Sequence, residues 1–132
     1  MSPPRNPASP EVVPASERRS PTGQQTSGMR REVAFESGDR WVGFVSSEPG
    51  EWSGWHHHGD TDTYFYVMRG GMEFEFGDSG ETVVVNAGDF CHVPHGLVHR
   101  ERPKPGERAE IILVRMGTGP TVVNVDGPTG DP

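Results

Sequence analysis

The chain has 132 residues and a mass of 14.4 kDa, one domain's worth, which leaves no room for a second hydrophobic core. Its 18 glycines and 13 prolines force frequent turns and exclude long uninterrupted helices. The formal net charge of −7 makes an acidic body that repels phosphate backbones, so nucleic acid is not an expected partner.

Residues 1–31 hold six prolines, no aromatic residue and little aliphatic matter beyond Val12 and Val13. Such a segment buries too little apolar surface to offset its ordering entropy, and a disordered tail is predicted over 1–31. Five arginines against Glu11 and Glu17 give the tail +3, leaving −10 for the rest. The pairs Arg18-Arg19 and Arg30-Arg31 read as solvated charge or as contacts for an acidic partner. Met1-Ser2-Pro3-Pro4 lacks the basic start and apolar core of a secretory signal, and no stretch approaches the roughly 20 apolar residues of a membrane span. The expectation is a cytoplasmic protein with no membrane partner. Cys91 is the single cysteine, which excludes an intrachain disulfide and reads as a small core residue.

Beyond the tail, short β-favouring runs alternate with turn residues. Strands are predicted at 33–35, 41–46, 51–58, 63–68, 72–76, 81–85, 90–93, 98–102, 109–116 and 121–125. The breaks include Glu48-Pro49-Gly50, Arg69-Gly70-Gly71, Ala87-Gly88-Asp89 and Pro103-Lys104-Pro105-Gly106. Alternation is plainest at Met72-Glu73-Phe74-Glu75-Phe76, where sulfur and rings share one face and glutamates the other. Ten short strands without a covering helix imply an all-β sandwich or barrel.

The histidines concentrate between residues 56 and 99. Side chains at i and i+2 of a strand share a face, so His56 and His58 point together while His57 points away. Two converging imidazoles make half of a metal site, and His99, after the turn Pro94-His95-Gly96, offers a third. Neutral imidazole suits Fe, Zn, Ni, Cu and, with oxygen ligands, Mn. A surface histidine cluster beside a loop is the other reading of the triplet.

The spacing around both clusters resembles the cupin family. His56-His57-His58, then Thr63 after four residues and Gly70 after six more, follows that family's first motif. Gly88, Pro94-His95-Gly96 and His99 follow its second. The resemblance implies a jelly-roll, double-stranded β-helix barrel over residues 32–126, with 127–132 a flexible C-terminus. It also implies a three-histidine metal centre of His56, His58 and His99. Two positions depart from the pattern. Thr63 stands where the family carries a glutamate ligand, and Asp62, at the shorter spacing, needs a bulge to turn inward. Pro103 replaces the second motif's asparagine.

Glu101 shares strand parity with His99, so a carboxylate there serves as general base, holds a metal-bound water, or supplies the missing ligand. A salt bridge to Arg100, Arg102 or Arg115 is the plainer reading. His92 reads as a second donor or as pocket wall, and His95 as solvent-exposed. Parity also drafts a wall of Trp41 or Val42, Phe44, Phe65, Val67, Met72, Phe74 and Ile112, which suits a small anionic or enolisable molecule better than a polymer. The resemblance implies one divalent ion, Fe(II) favoured over Zn, Mn, Ni or Cu, and an iron dioxygenase-type oxidoreductase. Alternatives are a zinc-type cyclase, isomerase or lyase, or a ligand-binding protein without catalysis. It implies a homodimer as well, with Tyr64, Tyr66 and Met68 on the faces left for packing.

Overall fold

The computed structural model describes residues 9–20 and 25–129. Its strands are β1 (Arg30–Ser37), β2 (Arg40–Ser47), β3 (His56–His57), β4 (Asp62–Arg69), β5 (Gly71–Phe76), β6 (Glu81–Asn86), β7 (Phe90–Val93), β8 (His99–Pro103), β9 (Ala109–Met116) and β10 (Val123–Asn124). Among the described residues the helical content is one 3-10 turn at Ala15–Glu17, and no helix is long and apolar enough to cross a membrane. Two five-stranded antiparallel sheets result, ordered β1-β2-β9-β4-β7 and β10-β3-β8-β5-β6. The strands and turns predict this all-β architecture, and its two sheets form the jelly roll that the resemblance implies.

Period-two alternation decides which faces meet. On β9, Ala109, Ile111, Leu113 and Arg115 are buried while Ile112 and Met116 are exposed. On β4, Thr63, Phe65 and Val67 are buried while Tyr64 and Met68 are exposed. A slip of one residue would exchange these sets, so burial itself fixes the register. The inward residues of both sheets form one core, in which Phe65 of β4 stacks on Phe74 of β5 at 5.4 Å. Trp41 lies in that core with its ring across Gly43. A Cβ at Gly43 would meet that ring and the Glu32 carbonyl, so only glycine lets the indole lie flat there.

Three expectations need correction. Strand β1 begins at Arg30, and Arg31 is fully buried, so the boundary placed after residue 31 falls inside a strand. Arg19 also bridges to Val33, while residues 1–8 and 21–24 lie outside the described residues. Composition misleads here because polar contacts hold the segment. Gln25 exchanges hydrogen bonds with the Arg31 backbone at 3.0 and 3.1 Å, Thr26 hydrogen-bonds to Asn124 at 3.0 Å, and the Gly54 amide donates to the Ser27 carbonyl. The strand predicted over 51–58 contracts to β3, because the Ser53 and Gly54 amides bond Glu101 and Ser27 instead of continuing a ladder. The wall drafted by parity loses Val42, Phe44 and Ile112: Ile111 and Leu113 face inward in place of Ile112, and Phe44 carries the Arg18 guanidinium on its outer face at 4.4 Å. Of the predicted flexible C-terminus, residues 130–132 lie outside the described residues.

Candidate metal centre

Strands β3 and β8 pair through His56 and His99, which stand opposite each other. His58 follows β3 by one residue, in a turn closed by a bond from the Thr61 amide to the His58 carbonyl. All three imidazoles are buried, with ring centroids 4.4, 5.1 and 5.3 Å apart. One nitrogen from each lies within 4.8 Å of the others. His57 points away and accepts from the Gly59 amide, as strand parity predicts.

Backbone carbonyls set the tautomer. Nδ1 of His56, His58 and His99 stands 2.9 Å from the carbonyls of Gly54, Thr121 and Leu97 respectively. A carbonyl only accepts, so each Nδ1 carries the proton and each Nε2 presents a lone pair. The Nε2 atoms of His56 and His99 are buried without a hydrogen-bond partner. Orphaned acceptors of this kind cost folding free energy unless something occupies them, and three imidazole nitrogens around one point fit a divalent ion. Burial, then the charges of Arg115, His99 and His56, holds His58 well below its ordinary range. Burial first, and the neighbouring His56, lowers His99 to about 4. Rings kept neutral in this way are in the protonation state that ligation requires.

The charged neighbours are as informative as the histidines. Among the described residues the buried charged groups besides histidine are Arg31, Glu101 and Arg115. Glu101 places Oε1 3.5 Å from His56 Nε2 and 3.9 Å from His99 Nε2. Burial alone would raise its carboxyl, but His56, His99 and Arg31 outweigh that and hold it below the usual value. The plainer reading of Glu101 as partner of Arg100 or Arg102 is not what the structure shows, since those arginines bind Glu75 and Glu73 on the outer face. Arg115 donates from Nε to Thr63 Oγ1 at 3.3 Å and lies over Trp41, while its buried Nη1 has no hydrogen-bond partner. Burial, with repulsion from Arg31, brings Arg115 down to about 9, and burial brings Arg31 to about 10; both stay cationic at neutral pH.

The position that the motif reserves for a carboxylate is therefore occupied by an inward Thr63 with Arg115 beside it. Asp62 is corrected as a ligand candidate: it faces outward, bonding His92 Nε2 at 3.0 Å and the His95 amide at 3.1 Å. His92 also stacks on Tyr64 from outside, with Cys91 and Val93 in the inward positions of β7, yet it lines the cleft that ends on His99, in keeping with the wall reading. His95 is exposed, as expected. Phe65 and Phe74 line the small cavity beside the histidines, with Met29, Ile111, Leu113 and Arg115. Met72 is in the core but does not line that cavity, because its position on β5 lies a step further from His99 than Phe74. Cys91 is half-buried against the core, and burial together with the Glu101 charge pushes its thiol up to about 11, so it stays protonated.

The cavity at the histidines is about 10 Å³, enough for roughly one water. A cleft of about 220 Å³ lined by Phe74, Phe76, Cys91, His92, Leu97 and His99 reaches the centre from one side. On another side Arg115 also lines a second cavity of about 220 Å³, with Trp41, Thr61 and Thr121. Drafting Ile112 into the wall turned Arg115 outward, so the inward guanidinium was missed, and the burial of Arg31 and the three tautomer-setting carbonyls carried no sequence signal.

A family model described as Cupin domain matches residues 43–115. The chain is 46% identical over 48 residues to the protein YdbB of Bacillus subtilis (strain 168), covering 36% of this chain and 42% of that relative, so the match spans less than half of YdbB. Among solved structures, a protein with a double-stranded β-helix domain from Klebsiella pneumoniae subsp. pneumoniae superposes with a TM-score of 0.69 at 21% identity, covering 90% of this chain and 100% of that one. The polyketide cyclase RemF from Streptomyces resistomycificus gives 0.72 at 18% identity, over 92% and 89%. At these identities the likeness is one of fold.

Proposed function

Because the chain belongs to the cupin domain family, and His56, His58 and His99 meet at one buried point, we propose that it is a metal-dependent enzyme acting on a small anionic molecule. The observation that carries this reading is the pair of orphaned Nε2 atoms on His56 and His99, whose Nδ1 protons are already committed to carbonyls. His56, His58 and His99 would hold the ion. A bound divalent ion supplies Lewis-acid polarisation of a chelated oxyanion and, where it is iron, one-electron chemistry with dioxygen.

The chain's own charges support an anionic ligand. Two buried guanidiniums face one buried carboxylate, so the interior carries excess positive charge even before an ion is added. Buried charge of one sign is costly unless something of the other sign meets it. Arg115 Nη1 offers a free donor at the cavity edge for a carboxylate or enolate oxygen. Phe65, Phe74, Ile111 and Leu113 exclude water around that oxygen, and the apolar cleft ending on His99 takes the rest of the molecule. Both neighbouring cavities fall below the roughly 300 Å³ at which ligand pockets usually begin, which favours a compact substrate.

An iron dioxygenase-type oxidoreductase is the leading form of this proposal. The tightness of the cavity favours a second form, a zinc-type cyclase, isomerase or lyase, since non-redox chemistry needs no separate place for dioxygen. We also propose that the protein works in the cytoplasm as a homodimer, with the exposed Tyr64, Met68, Ile112 and Met116 of the first sheet's outer face covered by a second copy.

The test is metal analysis of untagged protein, followed by oxygen uptake and product analysis with a panel of small carboxylates and enolisable ketones. One equivalent of divalent metal, lost in His56→Ala and His99→Ala, is expected. Oxygen uptake supports the first form, and turnover without it the second. Ligand uptake that is equal with and without metal would sink the enzyme reading and leave a binding protein.

A further inference from the structure

We propose that Glu101 is the fourth protein ligand of the ion held by His56, His58 and His99, so that the carboxylate reaches the site from β8 instead of from β4. This rests on the metal-centre reading above and names a ligand that the motif does not supply. The geometry follows from register. His56 and His99 are cross-strand partners, and Glu101 is two residues beyond His99 on the same inward face. Its backbone is clamped on both sides by Ser53, whose amide donates to the Glu101 carbonyl at 2.8 Å and whose hydroxyl accepts from the Glu101 amide at 3.0 Å. Three donor side chains thus project from two paired strands, the rigid setting that a coordination site requires.

The distances point to shared coordination. Oε1 lies 3.5 and 3.9 Å from the two orphaned Nε2 atoms. That is longer than a good hydrogen bond, whose usual length is roughly 2.9 Å. Two ligands each about 2.1 Å from one ion stand roughly 3.0–3.4 Å apart, so small movements of a side-chain torsion bring the carboxylate into place.

Other assignments for this carboxylate fail in turn. Arg100 and Arg102 are engaged by Glu75 and Glu73 outside the barrel. Arg31 and Arg115 act on Glu101 through space, but their direct bonds go to Thr26 and Met29 and to Thr63, while its close carboxylate contacts are to His56 and His99. Other candidate carboxylates fail as well, because Asp62 is held outside by His92 and His95, and Glu101 is the single buried carboxylate among the described residues. Thr63, with a guanidinium against its hydroxyl, is a site where a carboxylate would be drawn into an ion pair and away from a metal. Moving the carboxylate to β8 leaves Arg115 free beside the ion, so ligand and anion anchor occupy opposite strands.

The test uses the untagged full chain and Co(II) as probe, with Zn(II) as a competitor. Co(II) affinity and visible absorption are compared for wild type and Glu101→Gln, and the Co(II)-loaded wild type is crystallised with an anomalous map at the cobalt edge. Expected are Co(II) binding weakened on the order of tenfold or more in Glu101→Gln, a changed absorption spectrum, and a carboxylate oxygen of Glu101 about 2.0–2.2 Å from the ion. An ion on three histidines with the Glu101 carboxylate beyond bonding distance overturns the proposal while leaving the metal centre intact. So does an unchanged affinity and spectrum in the variant. A wild-type chain that takes up neither metal overturns both. If Glu101→Gln does not fold, the wild-type map decides alone.

Discussion

A buried imidazole whose Nδ1 is bonded to a carbonyl can take a proton only on the nitrogen that faces its two neighbours, and this ties His58 and His99 to acid lability. In the unfolded chain His99 protonates near its ordinary value of 6.5, whereas in the fold it resists until about 4. The unfolded state therefore binds more protons between those values, and stability falls as pH drops through that window and is fully present above it. For His99 alone the loss is on the order of 3 kcal/mol, and His58 adds to it in the same direction. Melting temperatures of metal-free protein should be flat above about pH 6.5 and fall steadily toward pH 4; a flat profile across the window would refute this. A second residue-scale expectation concerns Arg115. Arg115→Gln removes the unpartnered donor but none of the imidazoles, so metal content should hold while binding of small carboxylates weakens about tenfold or more. Equal carboxylate affinity, measured by calorimetry, would exclude Arg115 as the anchor. The three histidines and Glu101 were legible because strand parity and turn spacing are local properties. The roles of Asp62 and Thr63 were not, because a count along the motif leaves two spacings open and only β4's pairing with β7 and β9 turns Asp62 out toward His92.

Strand-forming runs and glycine turns were readable at the level of elements, since alternation and backbone freedom act over a few residues. Gly70 shows why: its positive φ of 71° and the Arg108 carbonyl packed against it leave no place for a side chain at the β4 to β5 turn. What escaped was the segment leading into β1. Its lack of apolar residues hid a set of polar ties that includes Gln25 to Arg31 and Thr26 to both Asn124 and Arg31. The Asn124 bond is long-range, the Gln25 bonds reach backbone groups and Thr26 to Arg31 joins two side chains, none of which composition records. A chain beginning at Arg30 would lose these bonds and leave the Arg31 guanidinium without Thr26. At about 1 kcal/mol for each ordinary hydrogen bond and more for one to a charge, roughly 5 kcal/mol of stability should go. Urea denaturation of the truncated chain checks this, and an unchanged midpoint would show that the segment is ornamental to the fold.

On the scale of the whole molecule, the two sheets differ in what they turn outward. The second sheet covers β5 and β8 with ion pairs, Arg100 to Glu75 and Arg102 to Glu73, under Trp52 and Trp55, and leaves Val83 and Val84 exposed on β6 at its edge. The first leaves Tyr64, Met68, Phe90, Ile112 and Met116 exposed across neighbouring strands. A glutamate at the centre of that face, Ile112→Glu, should convert a dimer to a monomer in light scattering without altering metal content. A wild-type chain that is monomeric at high concentration would dispose of the second copy.

The placement of Arg31 and Arg115 in the interior of a chain with a net charge of −7 gives the molecule opposite electrical signs at its skin and at its centre. An arriving anion is pushed back at long range and drawn in only within the last few ångströms. Salt shortens the reach of the outer repulsion far more than that of the shielded inner attraction. Capture of a carboxylate should thus speed up as ionic strength rises, the reverse of ordinary electrostatic steering.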